Sequence, residues 1–399
     1  MRHSIGRNGK GGGLKMRVCD VVMNSIWYDP RVRRQLIEYR NQGIDVIGIG
    51  LKCPRYDKNK ISDIPAPVRI VSIPEHFLGK QGLFGKLLRR YRQFTVVRDA
   101  IIEMEPDVIH ANDLDALIPS YFAKKKLKCR LVYDAHEIFA ENFANRKGIK
   151  VYLARLLTTV EKKLVRKVDH MICVSHAAAE YFEKAYGIRR PTVVTNCALK
   201  SDCISGGISE KRDVFEVLNH GQFYEGRGYD IMVKACDYLA DYPGIRLAIR
   251  GYGKMESKLR EMVEESNCSQ QFIFYPGVLV EELIPMAAKS HVGVAITEPT
   301  CLNFKLSVSN KLFEYAAAGL PVIMSDVPEH RYLNEKYNFG LILRDNSPEA
   351  FAETVKKLYT DRMLYRQLAE NAKKMSAEMT WENEFAKLLT EERKMIADR

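Results

Sequence analysis

Ser309-Asn310-Lys311-Leu312-Phe313-Glu314-Tyr315-Ala316-Ala317-Ala318-Gly319-Leu320-Pro321-Val322-Ile323 sets a small polar residue, a cation and a carboxylate ahead of an apolar run that stops at a glycine. Serine is a favoured N-cap, Gly319 is a natural C-terminal stop and Pro321 cannot continue a helix, so the spacing predicts a helix followed by a short strand ending at Met324. Such a helix start offers free N–H groups and a partial positive charge, which suits a phosphate. Asn310 and Glu314 are four apart and share one face, with Lys311 alongside. The cation and the open helix end can hold a diphosphate, while the carboxylate can accept hydrogen bonds from sugar hydroxyls. A nucleotide fits that arrangement.

Outward from this stretch, short apolar strands alternate with longer amphipathic helices. Strands are expected at 17–23, 44–50, 68–73, 108–110, 131–134, 171–174 and 193–195, with helices between them, notably over 31–42, 83–105 and 151–168. A polar stretch, 201–213, contains Gly206-Gly207 and little that could pack, and it marks the domain boundary. The pattern restarts with strands at 214–218, 247–249, 272–274, 292–296, 322–324 and 340–343. This alternation predicts an α/β protein with two doubly wound, Rossmann-like domains, 16–200 and 201–380, facing across a cleft. Residues 1–15, basic and Gly-rich, read as a disordered leader. Residues 381–399 form an apolar-striped helix through Trp381, Phe385, Leu388, Leu389 and Met395. No 20–50-residue repeat is evident.

At 399 residues and 46% apolar, the chain can bury two ordinary cores. Its nine cysteines are odd in number and form no C-x-x-C pair, which argues for reduced thiols in a cytoplasmic protein rather than a disulfide framework or a zinc site. No apolar run approaches the roughly 20 residues of a membrane span, and no signal peptide is visible. Charge is unevenly divided. Residues 1–200 hold 37 Lys+Arg against 20 Asp+Glu, or +17, and residues 201–399 hold 25 against 30, or −5, which together give +12. The basic half is suited to an anionic partner: nucleic acid, an acidic glycan or a membrane surface.

Ligands of doubly wound sheets bind outside the carboxyl ends of the strands. Three segments of the second domain reach that edge. His220-Gly221-Gln222-Phe223-Tyr224-Glu225-Gly226-Arg227-Gly228 combines glycines that allow close backbone approach with an Arg that can fork onto a phosphate, although it also reads as an ordinary strand–helix turn. Arg250-Gly251-Tyr252-Gly253 is weaker alone and reads as a tight turn. The Ser309–Glu314 helix start is the third. Three such turns at one sheet edge carry more weight than any single one.

These residues resemble the retaining, nucleotide-sugar-dependent glycosyltransferases of family 4, which have the GT-B fold. The resemblance covers the chain from Met16 almost to its end, and implies that the helix over 381–399 crosses back to pack on the first domain. It runs through Tyr28-Asp29-Pro30-Arg31-Val32, Asp107-Val108-Ile109-His110-Ala111-Asn112-Asp113, Tyr133-Asp134-Ala135-His136-Glu137, Val174-Ser175, Thr195-Asn196, Gly221–Gly228 and Gly251-Tyr252-Gly253, and is most specific at Ser309–Val322. It implies that Glu314 holds the ribose hydroxyls and that Ser309, Asn310 and Lys311 lie at the donor phosphates and sugar. It also places Arg227 on the diphosphate, with Gly221, Gln222 and Gly251 in the donor site and His136 near the transferring sugar. The chain departs from the family at Gln222, where a second basic residue is usual, and at Leu306, eight residues before Glu314, where a glutamate is common.

The mechanism implied is transfer of a sugar from a nucleoside-diphosphate sugar to a lipid-linked or saccharide acceptor, with retention, in cell-surface polysaccharide or glycolipid synthesis. His136, Arg227 and Lys311 are the catalytic candidates. The two cations and the helix start would stabilise the departing diphosphate, so no cofactor and no metal is expected. Asp113-Leu114-Asp115 looks like the D-x-D motif of metal-dependent glycosyltransferases, but it stands before a helix over 116–126, where aspartates act as N-caps. His110, Phe77, Phe84, Arg89 and Arg90 are assigned to an acceptor or membrane side. Positions 84, 87, 88, 91, 94, 97, 101 and 102 trace one helical face flanked by basic residues, as do Leu153, Leu156, Leu157, Val160 and Leu164. Each face either covers its own sheet or docks on anionic lipid, at the inner face of the cytoplasmic membrane. Two rivals are a nucleotide-sugar-binding protein of this fold without transferase activity, suggested by Leu306, and a basic nucleic-acid-binding protein. The second lacks base-stacking aromatics interleaved with the basic residues, so no nucleic-acid partner is expected.

Overall fold

The computed structural model describes residues 16–53, 64–73, 82–138, 149–204 and 214–398. The leader 1–15 and Phe77 lie outside these residues. Thirteen described strands form two sheets. The first contains β1 (Arg17–Val21), β2 (Asp45–Leu51), β3 (Val68–Val71), β4 (Val108–Asn112), β5 (Arg130–Ala135), β6 (His170–Cys173) and β7 (Thr192–Val193), in the spatial order β3-β2-β1-β4-β5-β6-β7. The second contains β8 (Phe215–Gln222), β9 (Ile245–Tyr252), β10 (Phe272–Pro276), β11 (Val292–Ala295), β12 (Val322–Met324) and β13 (Gly340–Ile342), in the order β10-β9-β8-β11-β12-β13. The described registers are parallel. The order of each sheet reverses once, between β1 and β4 and between β8 and β11. That is the doubly wound pattern expected of strand–helix alternation.

Contacts group the chain into two compact units. The first holds the described residues up to Asp134, with Lys167–His170 and those from Lys394 onward. The second holds Ala135–Arg166 and Met171–Arg393. The first unit is locked by side chains from the Tyr28–Val32 and Tyr133–Glu137 motifs. Asp29 caps the Pro30–Asn41 helix by accepting from the N–H groups of Arg31 and Val32, and Pro30 occupies the first helical position. One turn inward, Arg31 forks onto Asp134 at 2.7 and 3.0 Å, and both residues are buried. A buried carboxylate and guanidinium stay charged only as a hydrogen-bonded pair.

In the second unit the core of β8, β9 and β11 packs against Tyr229, Met232, Leu259, Phe351 and Leu368. The other face of the sheet packs on the Asn310–Ala317 helix through Leu312, Phe313, Tyr315 and Ala316. Polar positions of that helix thereby remain on its open side. The helix ends as its sequence predicts: Gly319 is left-handed (φ +68°), and the N–H groups of Gly319 and Leu320 bond to the carbonyls of Ala316 and Tyr315. Trp381, Phe385, Leu388 and Leu389 of the Trp381–Ala397 helix are buried as the stripe requires.

Two expectations are corrected. Cys236 and Cys268 are joined as a disulfide, so the thiols are not all reduced. Asp113 and Asp115 are not N-caps; the helix starts at Asp113 with Asn112 in the cap position, and both aspartates lie in its first turn. They still complement the positive end of the helix dipole, and Asp115 also accepts from Arg90 at 2.9 Å.

Candidate active site

An open cavity of about 470 Å³ in the second unit gathers most of the residues singled out in the sequence. His136, Gly221, Gln222, Arg227, Ser309, Asn310, Lys311 and Glu314 all line it. It lies at the carboxyl end of β8, beside the switch point between β8 and β11, where the strands splay and a crevice opens.

Ser309 holds the N-cap position of the Asn310–Ala317 helix, but its side chain makes no capping hydrogen bond. Lys311 and Glu314 stand one turn apart on the cavity face. Lys311 Nζ donates to Asn219 Oδ1 at 2.6 Å and lies 4.9 Å from the centre of the Tyr229 ring. Burial, and then the neighbouring Arg227 guanidinium, push the Lys311 ammonium down to about 7, against the opposing pull of Glu314. Arg227 spreads its guanidinium over the Phe304 ring at 4.5 Å, and its removal from water lowers its proton affinity from the ordinary arginine value. Two cations that act on each other in one cavity form a site that an anion would relieve.

The carboxylate side is built differently. Glu314 Oε2 lies 2.8 Å from Nε2 of His220, a residue 1% exposed. The His220 ring stacks on Tyr315 at 4.3 Å. Gly221 and Gly251 are directly paired in register on β8 and β9. Gly251 has φ +143°, and a Cβ there would overlap the Gly221 carbonyl oxygen, so only glycine lets the two strand ends close in behind the cavity. Gly251 thus supports the site from behind, while Gly221 lines it.

A short helix, Leu302–Leu306, closes one wall and is tied at both ends. Asn303 accepts from the Ile138 N–H at 2.7 Å and donates to the Ile138 carbonyl at 3.2 Å, two residues beyond His136. The Leu306 carbonyl accepts from the Ser175 hydroxyl at 2.6 Å. At the position where a carboxylate was expected, the backbone is therefore fixed and the side chain is apolar.

The remaining candidates lie elsewhere. His110 is fully buried in the first unit, with Nδ1 3.2 Å from Tyr39 Oη and Nε2 3.3 Å from Gln35 Nε2 and 3.4 Å from Asp134. It belongs to the Arg31–Asp134 network. Phe84, Arg89 and Arg90 sit on the Gly82–Met104 helix; Phe84 is 79% exposed, and Arg90 is paired with Asp115. Asn219, His220 and Ser175 have no individual role readable from sequence, and Asn303 only one through its backbone N–H near the donor sugar. Their signal was polarity at the end of an apolar strand or beside a motif, which becomes a site only once strand neighbours are known.

Residues 205–375 match the family model described as glycosyl transferases group 1, and residues 31–198 match that described as glycosyltransferase family 4. No curated protein matches the chain. Among solved structures, Anabaena Alr3699/HepE in complex with UDP and glucose is similar, at 16% identity over 94% of this chain and 99% of that one, with a TM-score of 0.72. Sucrose-phosphate synthase from Thermosynechococcus elongatus aligns at 16% identity over 96% and 100%, with a TM-score of 0.76. WaaG, a glycosyltransferase involved in lipopolysaccharide biosynthesis, aligns at 17% over 93% and 98%, with a TM-score of 0.66. At such identities the likeness is one of fold.

Proposed function

Because the chain belongs to the family 4 glycosyltransferases and has their GT-B fold, we propose that it takes a sugar from a nucleoside-diphosphate sugar and transfers it, with retention, to a lipid-linked or saccharide acceptor in cell-surface glycan synthesis. One observation carries the donor half of this reading: Arg227, Lys311 and Glu314 share one cavity at the carboxyl edge of β8. The cations face the diphosphate, and the carboxylate accepts from the ribose hydroxyls. As the sugar–phosphate bond breaks, negative charge builds on the departing oxygen, where fixed cations lower the barrier more than mobile water does. In a retaining transfer the acceptor hydroxyl attacks from the side the diphosphate leaves, and the departing phosphate takes its proton. His136, on the wall held by Asn303, orients the sugar or shares charge with the phosphate. Because Arg227, Lys311 and the helix start supply the positive charge, the transfer is proposed to need no divalent metal.

The acceptor side is assigned to residues 16–200 and to an anionic membrane. Val97, Ala100 and Ile101 of the Gly82–Met104 helix are buried, whereas Phe84, Leu87 and Tyr91 stand 79%, 61% and 64% exposed beside Lys86, Arg89 and Arg90. An apolar row flanked by cations suits a lipid surface. The Ile149–Val165 helix repeats the division: Val165 is buried, while Tyr152 and Leu156 are 70% and 59% exposed. That the similar protein WaaG is described as acting in lipopolysaccharide biosynthesis agrees with this assignment. A second reading, binding of a sugar nucleotide without transfer, is favoured by Leu306 alone.

The test is release of nucleoside diphosphate from a panel of sugar nucleotides, with membrane extract as the acceptor source. Turnover with one donor, unaffected by EDTA, is expected. Binding without turnover favours the second reading, and failure of every sugar nucleotide to bind overturns both. Glu314→Ala is expected to weaken nucleotide binding by about tenfold or more while the far-UV dichroism stays unchanged.

A further inference from the structure

His220 does nothing in the chemistry proposed above, yet its surroundings are unusually specific. It is the last residue of the fully buried stretch Phe215–His220 of β8, paired in register with Arg250 of β9. Its Nε2 lies 2.8 Å from Glu314 Oε2. Its ring is held against Tyr315, and its backbone N–H donates to the Tyr315 hydroxyl at 2.9 Å, which in turn donates to the Leu218 carbonyl at 3.0 Å. The other ring nitrogen, Nδ1, is buried and has no hydrogen-bond partner among the described residues. A polar atom left so costs stability unless the residue is kept for another purpose. Burial opposes charging of the ring, and Lys311 and Arg250 oppose it further, against the pull of Glu314, so its proton affinity is lowered. The neutral ring then carries its proton on Nε2, the only nitrogen with an acceptor, and donates it to Glu314.

We propose that His220 is the positioning residue of the ribose subsite: by donating from Nε2 to Glu314 it fixes that carboxylate in one rotamer before the donor arrives, and it thereby makes the protein select ribonucleotides over deoxyribonucleotides. This rests on the donor-binding reading of the cavity. The physical reason is preorganisation. Glu314 stands partly open to the cavity, with a side chain 28% exposed, and an unbraced glutamate would lose rotamer freedom on meeting the sugar. The brace is rigid because a stacked ring on a buried strand cannot follow the carboxylate elsewhere.

The experiment compares binding of UDP, GDP and ADP with their 2′,3′-dideoxy counterparts by calorimetry, in the full chain and in His220→Phe, His220→Gln and Glu314→Ala. Phenylalanine keeps the stacking on Tyr315 and removes the donor, and glutamine returns an N–H. The wild type is expected to prefer the ribonucleotide. His220→Phe should weaken the ribonucleotide about tenfold, leave the dideoxy form within about twofold, and be largely rescued by His220→Gln. In Glu314→Ala, adding His220→Phe should not change the ribose preference further. An unchanged ribonucleotide affinity in His220→Phe overturns the proposal. So does an equal loss for both sugars, which marks a merely structural role. If His220→Phe does not fold, His220→Met, which also fills the space without an N–H donor, decides by the same ratio. Failure of the wild type to bind any of the three diphosphates removes the donor reading itself and is distinguishable from every outcome above.

Discussion

Lys311 is pulled two ways. Burial and Arg227 hold its free-state proton affinity down to about 7, whereas a diphosphate in the cavity favours the ammonium. The sign follows from linkage. Below pH 7 the free lysine is already charged and binding is insensitive to pH. Above pH 7 the neutral lysine must take up a proton when donor binds, so affinity falls, by at most about tenfold per pH unit, until the lysine also deprotonates in the complex. Calorimetry with an intact sugar nucleotide, whose own charge is constant from pH 6 to 9, should show this slope, and Lys311→Arg should flatten it. A flat wild-type profile would show that the ammonium does not meet the phosphates. Legibility at this scale was uneven. That Lys311 and Glu314 share a cavity is readable from helical spacing, which fixes their face, whereas Arg227, in a glycine-rich turn, joins them only through the family resemblance. Asn219 and His220 were not readable, because their partners lie about 90 residues away and are brought near only by the packing of the Asn310–Ala317 helix on β8.

Elements fared better than side chains. Every expected strand appears, within a few residues at its ends, since apolar runs bounded by polar turns leave little choice in a sheet buried on both faces. Two elements were harder to judge. Arg250-Gly251-Tyr252-Gly253 read only as a weak turn, yet Gly251 lies where β8 and β9 leave no room for a Cβ. Gly251→Ala is therefore expected to lower stability by about 3 kcal/mol or more, through strain at positive φ and overpacking against Gly221, read as a fall in the urea midpoint. A midpoint within error of wild type would mean that the strand ends separate freely. For the Gly82–Met104 helix, periodicity alone could not decide between covering a sheet and meeting a membrane. The helix is buried at Val97, Ala100 and Ile101 and exposed at Phe84, Leu87 and Tyr91, a division along its length that periodicity does not carry.

At the scale of the molecule, the +17 carried by residues 1–200 (37 Lys+Arg minus 20 Asp+Glu) and the exposed Phe84, Leu87 and Tyr91 belong together. Sedimentation with vesicles should show binding to anionic lipid that weakens between 0.05 and 0.5 M salt, as expected for charges screened over about 10 Å at 0.1 M. Replacing all three apolar residues with serine should reduce that binding about tenfold while leaving nucleotide affinity unchanged. Equal binding to neutral vesicles would argue against the electrostatic part. The composition of the cavity wall bears on how such a protein could be rebuilt. His136, Glu137, Val174 and Asn196 come from chain before residue 200, yet they line the cavity that holds Arg227, Lys311 and Glu314 and group with the second unit. A chimaera joined at the polar stretch 201–213, the junction most visible in the sequence, would import part of that cavity wall along with a foreign N-terminal half. Exchanging the N-terminal half would therefore require the segments at 135–138, 174 and 196 to stay behind with the cavity they complete.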